Sequence, residues 1–192
     1  MKNIIQKILE DYLTKFKDEA EKLKLLEEFI HKSSNSNLTD WNNFEGHIVA
    51  SGFLYAKKEK RFLVLFHKDL RAFLYPGGHI DETDTDPLAA AKREISEETG
   101  IEDMKLFSHS EYSLTPLDID IHEIPYNDRL GLPNHRHFDF RYLFTIDSIE
   151  QVVPDSSEMG KYRWINLDEI KENCNFGAMT NKLENLINQN RL

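Results

Sequence analysis

Between Pro76 and Ile101 the chain reads PGGHIDETDTDPLAAAKREISEETGI, a paired-glycine turn followed by a segment with helix signals at both ends. The Asp86 carboxylate can accept from the free N–H groups of a first helical turn, and Pro87 suits the first helical position. Leu88 to Thr99 contains no Pro or Gly, includes Ala89, Ala90 and Ala91, and is followed by Gly100, which can close a helix in the left-handed conformation. A helix with defined ends is therefore expected. At about 3.6 residues per turn, Glu94, Glu97 and Glu98 fall at i, i+3 and i+4 and share one face. Three like charges there repel one another and favour a cation, and carboxylate oxygens suit hard ions such as Mg²⁺ or Mn²⁺. A solvated acidic face is the plainer reading of the same spacing. Gly77 and Gly78 add weight to metal binding, because backbone without a Cβ can approach a ligand closely.

The segment resembles the Nudix box, G-x5-E-x7-R-E-U-x-E-E-x-G-U with U aliphatic. Gly78 matches its opening glycine, and Arg93, Glu94, Ile95, Glu97, Glu98, Gly100 and Ile101 match its second half. One departure lies between them: eight residues, not seven, separate Asp84 from Arg93. Counted from the glycine, the acidic position falls on Asp84; counted back from the helix, it falls on Thr85. The partner of Arg93 is then open among Asp81, Asp84 and Asp86.

The resemblance implies a Nudix-type α/β/α sandwich with a mixed β-sheet. It also implies a pyrophosphohydrolase that cleaves a nucleoside diphosphate linked to another moiety, or a related nucleotide, by water attack on phosphorus. Glu94, Glu97 and Glu98 would hold Mg²⁺ or Mn²⁺, the carbonyl of Gly77 or Gly78 would complete the shell, and Arg93 would orient a carboxylate. Cations on the pyrophosphate neutralise charge and lower the pKa of a bound water. Several members of the family place a late acidic residue on a loop before a strand. Glu158, six residues before Trp164, is the candidate for that position, with Asp155 second; an ordinary loop glutamate is the alternative.

A second polar pattern lies beyond the box. From His135 to Phe144 the chain alternates, so a strand would put His135, His137, Asp139 and Arg141 on one face and aromatic residues on the other. Asp118, Asp120 and His122 alternate in the same way, and if the two strands are neighbours the rows share one cavity. Such polar rows are costly to bury unpaired. Three readings compete: a network of ion pairs, a substrate site in which Arg141, Asp139, His122, His135 and His137 contact phosphate and sugar, or a further metal site built on His-x-His-x-Asp. A group of bacterial Nudix proteins carries the same elements, here Gly46-His47, Pro76 to His79, Asp120 to Pro125 and His135 to Tyr142, without a substrate that the pattern specifies.

The 192 residues, 40% of them hydrophobic, suffice for one substantial core, and a net charge of −10 argues against nucleic-acid or anionic-membrane surfaces. A lone Cys174 forbids an intrachain disulfide and points to a reducing cytoplasm. It also lies far from the box, unlike the cysteine of Nudix-fold isomerases. The charged amino terminus offers no apolar run for a signal or membrane span.

Residues 1–40 read as a helical extension and 41–192 as the Nudix domain. Ile4 to Phe16 repeat at helical spacing, and Asp18 with Glu21 suggests a capping box that opens a second helix through Ile30. These helices either pack on their own domain or serve a homodimer interface or a lid over a substrate pocket. Strands are expected near 46–56, 61–68, 105–113, 117–124, 137–146 and 161–166, with helix from Leu167 broken at Gly177. A Pro-, Asn- and Gly-rich segment at 125–136 would border the site. Two function classes follow: the metal-dependent hydrolase of a small nucleotide, and a nucleotide-sensing module without turnover. Such sensors usually carry an added basic or partner domain, which residues 1–40 do not resemble.

Overall fold

The computed structural model describes residues 1–107, 114–126, 131–154, 159–172 and 176–192. Two helices, α1 (Lys2–Lys15) and α2 (Ala20–Lys32), precede strands β1 (His47–Ala56), β2 (Arg61–His67), β3 (Ala72–Leu74) and β4 (Gly77–His79). Helix α3 (Pro87–Thr99) is followed by β5 (Lys105–Leu106), β6 (Asp118–Ile124), β7 (His135–Ile146), β8 (Met159–Ile165), α4 (Leu167–Lys171) and α5 (Met179–Asn188).

The strands form one mixed sheet in which β1 and β7 run parallel at the centre and the other pairs are antiparallel. The long β7 pairs with β6 along its first half and with β5 near its end, while β1 pairs with β4 along its first half and with β2 at its end. Every residue of β1 is buried, which explains its weak alternation: both faces of the sheet are covered.

Helices sort by face. Ile48, Ala50, Leu54, Phe138, Phe140 and Phe144 point into a core with α1, α2 and α3, whereas Phe53, Tyr55, Phe62 and Leu143 point into a second core with α4 and α5. An α/β/α sandwich results. On the first face, Ile95 of α3 lies so close to β1 that a Cβ on Gly52 would be 2.3 Å from its Cδ1. Glycine there sets how near the helix comes to the sheet.

The amino-terminal helices pack on their own sheet. Phe29 stacks on Phe138 at 4.6 Å, and the outer edge of β6 is covered, with Ile119 N–H donating to the Tyr12 hydroxyl at 3.3 Å and Lys22 Nζ donating to the Ile119 carbonyl at 2.8 Å. These two bonds satisfy the outward N–H and C=O of Ile119 on that edge. The expected capping box at Asp18 and Glu21 does not form: a 3-10 turn at Lys17–Glu19 leads into α2, whose cap, Glu19, makes no side-chain cap bond. The Glu19 carboxylate instead accepts from the Tyr12 hydroxyl at 2.6 Å, so tertiary contact outcompetes the local cap. Strand β7 begins at His135, earlier than its expected start. Of the strand expected at 105–113 the described part is Lys105–Leu106, the remainder lying outside the described residues.

Candidate functional site

Helix α3 has the ends its sequence dictates. Asp86 Oδ1 accepts from Ala89 N–H at 2.9 Å, Pro87 is the first helical residue, and Gly100 closes the helix at φ 73°. This sets the rotation of the glutamate face. Glu94 is half-buried, Glu98 is buried and the Glu97 side chain is largely exposed, so the three carboxylates grade from the sheet outward.

Arg93 organises them. Its Nη1 donates to Glu94 Oε1 at 3.0 Å and to Glu97 Oε2 at 2.9 Å. The other side of the guanidinium is held by Asp84, which accepts from Nε at 3.2 Å and from Nη2 at 2.9 Å, and Nη2 also donates to the His79 carbonyl at 2.9 Å. The extra loop residue is thereby accounted for. Asp84, the acidic residue counted from the glycine, is the partner of Arg93; Asp81 stands at 3.8 Å and Asp86 is used as the helix cap. The Asp81–Asp84 turn is closed by a bond from Asp81 N–H to Asp84 Oδ2 at 2.8 Å, and the extra residue lies after it, between Asp84 and Arg93.

Burial pushes Glu94 up to about 7 against the pull of Arg93, with Glu97 and Asp81 adding repulsion. Strand β4 runs directly beside this carboxylate: a Cβ on Gly78 would lie 2.7 Å from Glu94 Oε1. Oxygen donors from one helix face with bare glycine backbone against them suit a hard divalent cation. Glu94, Glu97 and Glu98 are the residues that could hold it, with a carbonyl of Gly77 or Gly78.

The opposite face of the sheet carries the polar rows, and they are neighbours. Strand register pairs Asp118 with Arg141, Asp120 with Asp139 and His122 with His137. Arg141 is 3% exposed and Asp139 2%. Arg141 Nε donates to Asp139 Oδ2 at 2.9 Å and Nη2 to Asp120 Oδ2 at 2.8 Å, while Nη1 lies 3.5 Å from Asp118 Oδ2. Lys182 of α5 adds a bond to Asp118 Oδ1 at 2.7 Å, and the Tyr75 hydroxyl donates to Asp139 Oδ2 at 3.2 Å. Burial opposes ionisation of Asp120, yet the His122 hydrogen bond and the Arg141 charge bring it down to about 2. These acids and Arg141 form the ion-pair network that was one of the three readings.

The histidines lie beside the network. Strand β1 brings His47 opposite His137, and β4 brings His79 next to them, so that donor atoms of His47, His79 and His137 lie within 4.8 Å of one another. His122 and His135 flank the group, with ring centroids 5.5 and 5.1 Å from that of His137. Burial and neighbouring imidazoles hold His47 down at about 4 and His137 at about 2, so both are neutral near pH 7. His79 joins the two faces: its carbonyl contacts Arg93 and its ring joins the histidine group.

His122, His135, His137, Asp139 and Arg141 are site candidates from the strand pattern, whereas His47, His79, Tyr75 and Lys182 join them only in the fold. The Gly-His and Pro-Gly-Gly-His elements were the available signal. Glu158 and Asp155, candidates for a late acidic residue, and Cys174 lie outside the described residues.

The NUDIX domain model matches residues 46–185, and the chain belongs to the Nudix family. Among curated relatives, a probable DHNTP pyrophosphohydrolase of Lactococcus lactis subsp. cremoris is 31% identical over 119 residues, or 62% of this chain. The match spans 66% of that relative's length, just short of two thirds. A Nudix-family hydrolase from Clostridium perfringens superposes with a TM-score of 0.56 at 24% identity, covering 73% of this chain and 97% of its own. A C. elegans Ap4A hydrolase superposes with a TM-score of 0.56 at 21% identity, covering 74% and 98%. These two likenesses establish the fold. No described helix is long and apolar enough to cross a membrane.

Proposed function

We propose that this protein is a divalent-metal-dependent pyrophosphohydrolase that cleaves a nucleoside diphosphate linked to another moiety, or a related nucleotide, by water attack on phosphorus. The observation that carries the reading is the face formed by Glu94, Glu97 and Glu98, held by the Asp84–Arg93 clamp against bare glycine backbone in a chain of the Nudix family. The Lactococcus relative, described as a probable pyrophosphohydrolase, supports the same reaction class.

When bound there, Mg²⁺ or Mn²⁺ supplies charge neutralisation on the diphosphate and acidifies a coordinated water. The protein's own residues do the rest. Glu94, half-buried and pushed up to about 7, can take a proton or a cation within reach of neutral pH. Arg93, anchored on two sides by Asp84 and the His79 carbonyl, keeps Glu94 and Glu97 aimed at one place. Glu98, buried near the end of the helix, would add the third carboxylate. Glu158 fits a second acidic role as base or ligand, by its place in the sequence. Across the sheet, His122, His135 and His137 would contact phosphate or sugar of the substrate, with Asp139 and Arg141 paired beside them.

Glu97→Gln and Glu98→Gln should each lower metal-dependent product release by about a hundredfold or more, the scale of losing a positioned catalytic group, with the fold intact. Turnover at the wild-type rate in both variants refutes the assignment. Assaying ADP-ribose, dinucleoside polyphosphates, nucleotide sugars, nucleoside triphosphates and DHNTP with Mg²⁺ or Mn²⁺ identifies the leaving group. Tight binding of one of these without turnover would instead favour a sensor.

A further inference from the structure

We propose that His47, His79 and His137 form a second metal site, chemically distinct from the glutamate centre, that takes Zn²⁺ or a similarly imidazole-preferring divalent ion. The site is assembled from three neighbouring strands, β1, β4 and β7, whose register places the three rings together on one face of the sheet. Their donor atoms lie within 4.8 Å of one another, a spread that small side-chain rotations close onto one ion at the usual distance of about 2 Å.

The tautomer of His47 is already set for it. His47 Nδ1 faces the Asn43 carbonyl at 3.4 Å. A carbonyl only accepts, so Nδ1 carries the proton and the lone pair is on Nε2. That Nε2 is buried and has no hydrogen-bond partner among the described residues, and the same holds for His137 Nε2. Two buried imidazole nitrogens left without partners cost stability unless a ligand engages them. Metal-ligating histidines typically have this arrangement, one nitrogen tied to a carbonyl or carboxylate and the other on the ion.

The flanking rings follow the same rule. His135 Nδ1 donates to the Pro133 carbonyl at 2.8 Å, and His122 Nδ1 to Asp120 Oδ2 at 3.1 Å, which leaves Nε2 of each as the acceptor. Among the described residues the donor atoms that converge here are those of His47, His79 and His137, and the acids of the network stand with Arg141 instead. The ligand set is therefore neutral and all nitrogen. Mg²⁺, which demands oxygen ligands, is a poor match, whereas Zn²⁺ suits three imidazoles with a fourth position open. His79 is exposed and His47 fully buried, so the open position lies on the His79 side, where water or a phosphate oxygen can enter. The linear His-x-His-x-Asp reading is replaced: Asp139 belongs to Arg141, and His47 and His79 come from other strands.

The test uses full-length protein stripped of metal by chelation and titrated with Zn²⁺ by calorimetry in excess Mg²⁺, with Co²⁺ as a spectroscopic probe. Wild type and Glu97→Gln should each bind one Zn²⁺ and give the intense visible Co²⁺ bands of a four-coordinate site with three nitrogen ligands. His79→Ala and His137→Ala should weaken Zn²⁺ by at least about a hundredfold, beyond what loss of an outer-shell partner usually costs. His79 is exposed, so its variant should keep the wild-type near-ultraviolet circular dichroism and report on binding alone. Absence of Zn²⁺ binding to folded wild type overturns the proposal. So does unchanged affinity in both histidine variants, or loss of the Zn²⁺ in Glu97→Gln, which would assign the ion to the glutamates.

Discussion

Replacing Arg141 with Met separates a structural role from substrate contact. Arg141 is buried with its charge divided among Asp118, Asp120 and Asp139, and its guanidinium lies 5.2 Å from the Tyr75 ring centroid. Met fills much of the volume and leaves the acids unequally served. Asp118 keeps Lys182 at 2.7 Å and Asp120 keeps His122 at 3.1 Å, but Asp139 is left with the Tyr75 hydroxyl at 3.2 Å. The stranded charge is thus mainly that of Asp139. Removing one partner of a buried pair costs about 3–5 kcal/mol. For a domain of this size that lowers Tm by roughly 10 °C. Arg141→Met combined with Asp139→Asn should recover at least about half of the loss, because no ionised carboxylate is then buried beside the missing guanidinium. The assays are urea denaturation of all four proteins of the cycle and KM at a temperature where each is folded. A loss below about 1 kcal/mol, the range of exposed pairs, or a KM rise with unchanged stability, refutes the network and returns Arg141 to the substrate.

Three further outcomes follow from the geometry. Asp84→Asn removes the charged half of the Arg93 clamp and should lower kcat at least about tenfold, whereas Asp81→Asn should change it little; equal effects in steady-state kinetics would contradict Asp84 as the partner. Gly78→Ala puts a methyl group 2.7 Å from the end of the flexible Glu94 side chain, so the carboxylate swings away: kcat falls while the urea midpoint moves little, and a large stability loss with normal kcat would be the wrong way round. Asp120 titrates near 2 in the fold against 3.8 for an ordinary side chain, so the unfolded chain takes up its proton first as pH falls. Its contribution, roughly 2 kcal/mol, is complete above pH 4 and lost between about pH 4 and 2. The stability difference between wild type and Asp120→Asn should shrink across that window in acid urea titrations; a constant difference would count against it.

What could be read along the chain is what local geometry decides. Asp86-Pro87 and Gly100 bound α3, and a helical period puts Glu94, Glu97 and Glu98 on one face whatever the rest of the fold does. The alternation of β6 and β7 likewise predicts two polar rows, since a strand sends successive side chains to opposite faces. Less was visible where tertiary contact overrode a local signal. The Asp18–Glu21 capping pattern yields to a 3-10 turn because Glu19 gains the Tyr12 hydroxyl. The insertion before α3 leaves three acids in contention for Arg93 until the loop closes and brings Asp84 to it.

The paired-glycine turn and glutamate helix by themselves determine the family, the fold class and where the proposed hard cation would sit, because their information is carried by residues adjacent in sequence. Which polar residues meet on the far face of the sheet was decided by strand register. A shift of one residue between β1 and β7 would send His47 to the other face and dissolve the histidine group. His47, His79 and His137 are separated along the chain and converge only because parallel and antiparallel pairing bring three strands into one register, and no pattern within a single strand encodes that meeting.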